Sequence, residues 1–128
     1  MVIDLYPKKL LNFIKMIKIY HNPRCSKSRQ GVQVLENSGK EFQIIKYLEN
    51  LPSEKELTSI INLLGITPIQ LVRKTEKTWK EEFKGKELTD IEIVKAMIEN
   101  PKLIERPIVI NNKKAVIGRP PENILSII

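Results

Sequence analysis

A strand–helix–strand pattern over residues 16–47 constrains the fold more than any other feature of this chain. Residues 16–20 are mostly apolar and β-branched, which is typical of a strand, and residues 30–37 carry apolar side chains at helical spacing before Gly39. Residues 42–47 have the composition of a second strand. Two strands joined by one helix at this spacing form a βαβ unit, so we expect the two strands to be parallel.

The turn between the first strand and the helix holds the only cysteine and the only histidine of the chain, Cys25 and His21. We expect Cys25 at or near the helix N-terminus, where free N–H groups and the helix dipole stabilise a thiolate. Arg24, Lys27 and Arg29 add positive charge nearby. We therefore interpret Cys25 as an activated nucleophile beside an oxyanion site. The alternative is a buried structural cysteine, but the polar residues around it do not resemble a core.

The composition limits the class of protein. A chain of 128 residues suits one domain. The net charge of +7 first suggests a protein that binds nucleic acid. The basic residues, however, are interleaved with glutamate, and few aromatic residues are present. This pattern favours small anionic substrates. A single cysteine excludes an intramolecular disulfide. One cysteine and one histidine do not make a zinc ligand set, so we predict no metal site. We expect no membrane span, and a monomeric, cytoplasmic protein.

The remainder of the chain divides into four parts. Residues 1–15 are basic and amphipathic, and we interpret them as an N-terminal extension that carries no chemistry. Residues 16–128 are predicted to form one domain, interrupted by a helical insert over about residues 53–100. A β-hairpin and a last helix over residues 122–128 complete the predicted domain. The fold class is therefore α/β with a small mixed sheet.

Local signals mark the ends of these elements. Ser53 with Glu56, and Thr89 with Glu92, match the capping-box pattern at helix starts. The hairpin is predicted to turn at residues 111–112, because asparagine tolerates the left-handed conformation of a two-residue turn.

Three arginines lie where predicted elements begin or end: Arg73, Arg106 and Arg119. A guanidinium group is suited to bidentate binding of an oxyanion. If the hairpin packs beside the first strand, Arg106 and Arg119 approach the Cys25 turn. The alternative for each arginine is a solvated charge at the end of an element. For His21 the alternative is a side chain that only braces the loop by hydrogen bonding.

Four motifs together resemble the glutaredoxin-dependent arsenate reductase family, and the resemblance covers residues 16–128. They are His21-Asn22-Pro23-x-Cys25-x-x-Ser28-Arg29, Leu71-x-Arg73-Lys74, Arg106-Pro107-Ile108-Val109 and Gly118-Arg119-Pro120. The resemblance implies a thioredoxin-like fold and a cis peptide bond at Pro107.

The resemblance also implies roles for individual residues. Cys25 resembles the catalytic thiolate and His21 the residue that supports it. Arg73, Arg106 and Arg119 resemble the oxyanion-binding triad, whereas Asn22, Ser28 and Arg29 are predicted to support the Cys25 turn. The implied reaction reduces arsenate to arsenite with no bound cofactor, and glutathione and glutaredoxin supply the electrons. Because the chain has no second cysteine, an external thiol must regenerate Cys25.

Two other functions stay open at this point. The first is a glutathione-dependent thiol reductase with another substrate on the same scaffold. The second is a non-enzymatic regulator of the Spx-like type that binds a protein partner. Ser28 stands where such regulators usually carry the second cysteine of a redox switch, which argues against a disulfide switch but not against a binding role. Ser26-Lys27, where well-known family members carry smaller neutral residues, leaves the oxyanion itself open.

Overall fold

The computed structural model describes residues 16–128, and the predicted extension over residues 1–15 lies outside the described residues. The described strands are β1 (Ile17–His21), β2 (Phe42–Lys46), β3 (Ile108–Asn111) and β4 (Lys114–Ile117). The described α-helices are α1 (Ser26–Ser38), α2 (Glu54–Leu64), α3 (Pro68–Leu71) and α4 (Asp90–Glu99). Shorter helical segments are a π-helix at Trp79–Phe83 and 3-10 helices at Pro101–Leu103 and Pro121–Ser126.

The strands form one mixed sheet in the order β2-β1-β3-β4. β1 and β2 are parallel, in a register that pairs Ile17 with Phe42 and His21 with Lys46. β3 runs antiparallel to both β1 and β4. The predicted parallel βαβ unit and the mixed sheet are therefore confirmed. The C-terminal end of the central strand β1 leads directly into the Cys25 turn.

Side chains of β1 alternate between two hydrophobic clusters, one on each face of the sheet. Ile19 belongs to a small cluster under α1 and the C-terminal 3-10 helix, together with Leu35, Val109 and Ile124. Tyr20 belongs to the larger cluster on the opposite face, which the insert helices cover. The insert therefore closes one face of the sheet.

The two predicted capping boxes have different outcomes. Thr89 and Glu92 exchange both hydrogen bonds at the start of α4. Ser53 accepts a hydrogen bond from the Glu56 N–H, as predicted. The Glu56 carboxylate, however, accepts a hydrogen bond of 2.7 Å from the Tyr20 hydroxyl. The Tyr20 hydroxyl therefore takes the place of the Ser53 N–H as the donor to Glu56, and only one of the two hydrogen bonds of this capping box forms.

Several element boundaries differ from the sequence expectation, most clearly at the hairpin turn and the last helix. The hairpin turn consists of residues 112–113 rather than 111–112, because Asn111 pairs with Lys114. Asn112 has φ of 60°, so asparagine does take the left-handed position. The last helix begins at Pro121 and is a 3-10 helix, whereas the sequence pattern placed its start at Glu122.

A short backbone connection joins the chain that follows α3, within the insert, to the segment before β3. The N–H of Arg73 donates to the carbonyl of Leu103 at 2.7 Å, and the N–H of Glu105 donates to the carbonyl of Leu71 at 2.9 Å. Residues Val72 and Ile104 pair there as an antiparallel bridge. The bridge brings Arg73 beside the segment that carries Arg106.

The ring of Pro107 lies between two glycines that come from different elements. A Cβ atom at Gly31 of α1 would lie 2.8 Å from Pro107 Cγ, and one at Gly118 would lie 2.9 Å from the same atom. Both distances are shorter than carbon atoms tolerate, so both positions need glycine for this close packing. The peptide bonds Arg106–Pro107 and Arg119–Pro120 are cis. The first was expected from the family resemblance; the second was not.

Candidate active site

Cys25 is the N-cap residue of α1, as predicted, with extended backbone angles of φ −94° and ψ 123°. Its thiol is free and partly exposed. The N–H of Cys25 donates to the carbonyl of Asn22 at 3.0 Å, which closes the turn between strand and helix. The alternative of a cysteine buried in the core is therefore excluded. The sulfur is in reach of solvent and of an incoming reactant.

The surroundings of Cys25 favour the thiolate. Burial opposes ionisation, but interactions of the sulfur with the backbone N–H groups of Ser28 and Lys27 and with the Arg106 guanidinium outweigh it. Together they lower the pKa of Cys25 from its ordinary value of 9.0 to about 7. A large fraction of the thiol is thus a nucleophilic thiolate at neutral pH.

The three predicted arginines converge on Cys25. A cavity of about 300 Å³ opens at the sulfur. Its lining residues are Asn22, Arg24, Cys25, Ser26, Arg73, Arg106 and Arg119. The alternative of three separate solvated charges is therefore wrong. The cavity is small, polar and rich in guanidinium groups, which suits a compact oxyanion.

Arg119 contacts the sulfur directly. Its Nη1 atom lies 3.8 Å from the Cys25 Sγ, within hydrogen-bonding range for sulfur. The same nitrogen donates to the carbonyl of Arg106 at 3.1 Å and to the Glu105 carboxylate at 3.2 Å. Arg119 therefore links the sulfur to the segment that precedes β3.

Arg106 is held in place by backbone. Its Nη1 atom donates to the carbonyl of Lys102 at 2.7 Å and to that of Ile104 at 3.3 Å. The residue is 6% exposed, so its charge is largely removed from water. Its Nη2 atom lies 3.6 Å from the Glu76 carboxylate. Because the guanidinium is buried and held by the backbone, it is preorganised to bind an anion.

Several donor atoms of these arginines have no hydrogen-bond partner within residues 16–128. They are Nε and Nη1 of Arg73 and Nε of Arg106, all buried. Arg73 Nε lies 3.3 Å from Glu76, and Arg73 Nη1 lies 3.8 Å from Glu105, but these ion pairs lack hydrogen-bond geometry. Buried donors without partners are rare in folded proteins, and these atoms are available to hydrogen-bond an anion.

His21 contacts the loop and not the sulfur. Its Nδ1 atom lies 2.7 Å from the Ser28 hydroxyl, which also accepts a hydrogen bond from the Asn22 N–H at 3.0 Å. Burial, followed by the charge of Lys46, lowers the pKa of His21, which favours the neutral ring. Through Ser28, His21 fixes the first turn of α1, whose N–H groups face Cys25.

Asn22, Ser28 and Arg29 brace the Cys25 turn, as predicted. Ser28 is fully buried. The Asn22 side chain accepts a hydrogen bond of 3.0 Å from the N–H of Arg24. Arg29 Nη1 donates to the carbonyl of Pro23 at 2.9 Å. Arg29 thus supports the turn from outside and does not line the cavity.

Sequence reasoning missed three residues at this site. Glu76 and Glu105 form ion pairs with the arginines, and Tyr47 has a buried hydroxyl without a hydrogen-bond partner among the described residues. Burial, the largest cause, raises the pKa of Tyr47 to about 12 even though the charge of Arg106 lowers it. The two glutamates were detectable, because each is within three positions of a predicted arginine. The hydroxyl of Tyr47 gave no such signal.

Within residues 16–128, no group of three or more His, Cys, Asp or Glu side chains could hold a metal ion. None of the helices in the same range has the length and apolarity needed to cross a membrane.

Comparison with known proteins identifies close relatives. The model of the ArsC family matches residues 20–127. An arsenate reductase of Haemophilus influenzae is 46% identical over 112 residues, covering 86% of this chain and 97% of the relative. The uncharacterized protein YfgD of Escherichia coli is 43% identical over 116 residues, covering 89% and 98%. The solved structure of an arsenate reductase from Vibrio cholerae superposes with a TM-score of 0.85 at 46% identity, covering 89% of this chain and 98% of that chain. These neighbours confirm the predicted thioredoxin-like fold.

Proposed function

Because the chain belongs to the ArsC family, we propose that it is a thiol-dependent arsenate reductase with Cys25 as the nucleophile. The observation that carries the proposal is the Arg119 guanidinium 3.8 Å from the Cys25 sulfur, in a cavity shared with Arg73 and Arg106. A thiolate and unpaired guanidinium donors in one cavity suit a reaction in which sulfur attacks the central atom of a bound oxyanion.

The first step joins sulfur to arsenic. Arsenate binds to the free donors of Arg73 and Arg106, and the Cys25 thiolate attacks arsenic while an arsenate hydroxyl takes a proton from solvent and leaves as water. Arsenic is still pentavalent in the resulting thioester. The fixed guanidiniums stabilise the charge on the arsenate oxygens during the attack.

The second step transfers electrons and requires a thiol from outside the chain. A thiolate attacks the Cys25 sulfur and forms a mixed disulfide. The electron pair of the S–As bond stays on arsenic, which leaves as arsenite. A second external thiol then reduces the disulfide and restores Cys25. We propose glutathione as the first donor and glutaredoxin as the second, since Cys25 is the only cysteine of 128 and has no resolving partner.

The proposal includes no bound cofactor, a monomeric protein and a cytoplasmic location. A reducing compartment is the place where a lone catalytic thiol and a glutathione supply coexist. The arsenate reductases among the relatives favour this function over a general thiol reductase or a binding protein.

A coupled assay tests the proposal. Purified protein with arsenate, glutathione, glutaredoxin, glutathione reductase and NADPH is expected to consume NADPH in an arsenate-dependent manner. Cys25→Ser is expected to abolish that consumption while leaving the fold intact by circular dichroism. Activity that survives in Cys25→Ser would overturn the nucleophile assignment. Arsenate-independent reduction of glutathione mixed disulfides by the protein in the absence of glutaredoxin would instead support the general thiol reductase.

A further inference from the structure

One nitrogen of Arg119 is shared by three acceptors. Nη1 contacts the Cys25 sulfur at 3.8 Å, the Arg106 carbonyl at 3.1 Å and the Glu105 Oε1 atom at 3.2 Å. This nitrogen carries two hydrogens, so it cannot make three strong hydrogen bonds at once. The carboxylate is nearer than the sulfur and competes with it directly.

Glu105 Oε1 in turn accepts hydrogen bonds from two donors and forms a longer ion pair with a third group. Besides Arg119, it lies 3.8 Å from Nη1 of Arg73 and accepts from the backbone N–H of Arg106 at 3.3 Å. One carboxylate oxygen therefore touches all three residues of the predicted oxyanion triad. The side chain of Glu105 is 25% exposed.

We propose that Glu105 is a positioning residue whose carboxylate holds Arg119 and Arg73 in the free protein and is exchanged for the oxyanion when substrate binds. The identity of the oxyanion in this inference rests on the proposed function, whereas the choice of Glu105 rests on the contacts given above. The carboxylate occupies the coordination that an arsenate oxygen would otherwise take. It keeps the guanidiniums oriented and prevents their mutual repulsion in the empty site.

Exchange has two consequences. Oxyanion binding must displace a carboxylate, so Glu105 weakens affinity and speeds release of anionic ligand. Glu105 also draws Arg119 away from the sulfur and adds a negative charge near it, which opposes formation of the thiolate. Both effects belong to the charge of Glu105 and not to its shape.

The variant Glu105→Gln separates charge from shape. Glutamine keeps an oxygen that accepts from Arg119 and from the Arg106 N–H, but it is neutral. Glu41→Gln is the matched control, because Glu41 is exposed and directly precedes β2, at the end of the sheet opposite Cys25. Alkylation of Cys25 by iodoacetamide is the readout, since no other thiol can react.

Two results are expected for Glu105→Gln. The sulfate concentration that half-protects Cys25 from alkylation falls by about fivefold or more, because the anion no longer displaces a carboxylate. The pH midpoint of alkylation without sulfate falls by about half a unit, because Arg119 turns fully to the sulfur. Glu41→Gln changes neither value. Weaker or unchanged protection in Glu105→Gln, or an unmoved midpoint, would overturn the exchange and leave Glu105 a merely structural residue.

The outcome for Glu105 is separable from the outcome for arsenate reduction. A lowered midpoint together with no arsenate-dependent turnover in the wild type would remove the proposed function and leave Glu105 as an anion substitute. Should Glu105→Gln not fold, carboxyl ¹³C spectroscopy of the wild type serves instead. The Glu105 signal is expected to move when sulfate saturates the site, and an unmoved signal would refute the exchange.

Discussion

The Nη1 atom of Arg119 lies 3.8 Å from the sulfur of Cys25, although 94 positions separate the two residues in the chain. The central strand β1 ends at the cysteine turn, and β4 at the sheet edge ends just before Arg119. Their meeting depends on the whole sheet, with β3 between the two strands. The Arg119 guanidinium is therefore brought to the sulfur only in the folded chain.

The pH dependence of Cys25 is the first expectation from this site. The alkylation rate should rise with a midpoint near pH 7 and level off by pH 8, because the pKa of the thiol is lowered to about 7. Rates measured from pH 5 to 9 with iodoacetamide check this. Urea-unfolded protein is the control and should still gain reactivity up to pH 9. A folded-state midpoint above pH 8 would contradict the activated thiolate.

The same shift has a consequence for stability. Between about pH 7 and pH 9 the unfolded chain binds the thiol proton and the folded chain does not. The contribution of Cys25 to the free energy of unfolding therefore increases with pH in that window and is lost as the pH falls through 7. Cys25→Ser should flatten this part of the stability profile in urea titrations. An identical profile for both proteins would contradict the shift.

Arg106→Ala should weaken oxyanion binding. Its buried guanidinium supplies an unpaired donor and is fixed by the carbonyls of Lys102 and Ile104. We expect a loss of about 1–3 kcal/mol of binding free energy, measured as the arsenate KM and as sulfate protection of Cys25. Lys113→Gln removes a positive charge from the hairpin turn at the opposite end of the sheet and should change neither. Equal affinity in wild type and Arg106→Ala would argue against a convergent anion site.

Ser28→Ala should affect both stability and the thiol. Removal of the hydroxyl leaves His21 Nδ1 and the N–H of Asn22 buried without their partner. We expect a loss of about 1–3 kcal/mol in the free energy of unfolding. The alkylation midpoint of Cys25 should also rise, because the first turn of α1 is less firmly held. Ser26→Ala, at an exposed position of the same turn, is the comparison, and equal stability of the two variants would count against the His21–Ser28 support.

Gly31→Ala should destabilise the protein even though alanine is the better helix former. Inside an ordinary helix the change would stabilise by about 1 kcal/mol. Here the new Cβ would lie 2.8 Å from Pro107 Cγ, so we expect a net loss of about 1–3 kcal/mol in urea unfolding. Gln30→Ala, exposed on the same helix, should stay within about 0.5 kcal/mol of wild type. A Gly31→Ala protein as stable as wild type would show that the ring moves freely.

Features determined by neighbouring residues were predictable from the sequence. The βαβ unit, the Thr89 cap and the glycine that ends α1 follow from side-chain period and local hydrogen bonding, and the structure confirms them. Arg106 and Arg119 were expected near the Cys25 turn if the hairpin packed beside β1, and the sheet order shows that it does. Long-range partners were not predictable, because no local pattern encodes them. Glu56 accepts from Tyr20 rather than from its own cap, and Glu105 bridges arginines that belong to separate elements.

Pro107 and its two glycine neighbours set the spacing of the charged site without carrying any charge. Arg106 directly precedes Pro107, and Arg119 directly follows Gly118, so the distance between the guanidiniums depends on how closely the ring packs against glycine. A methyl group at either glycine would meet Pro107 and Ile124 and so disturb the packing next to the two arginines. An engineer who wishes to fit a larger anion should therefore alter this apolar wedge first and leave the arginines as they are.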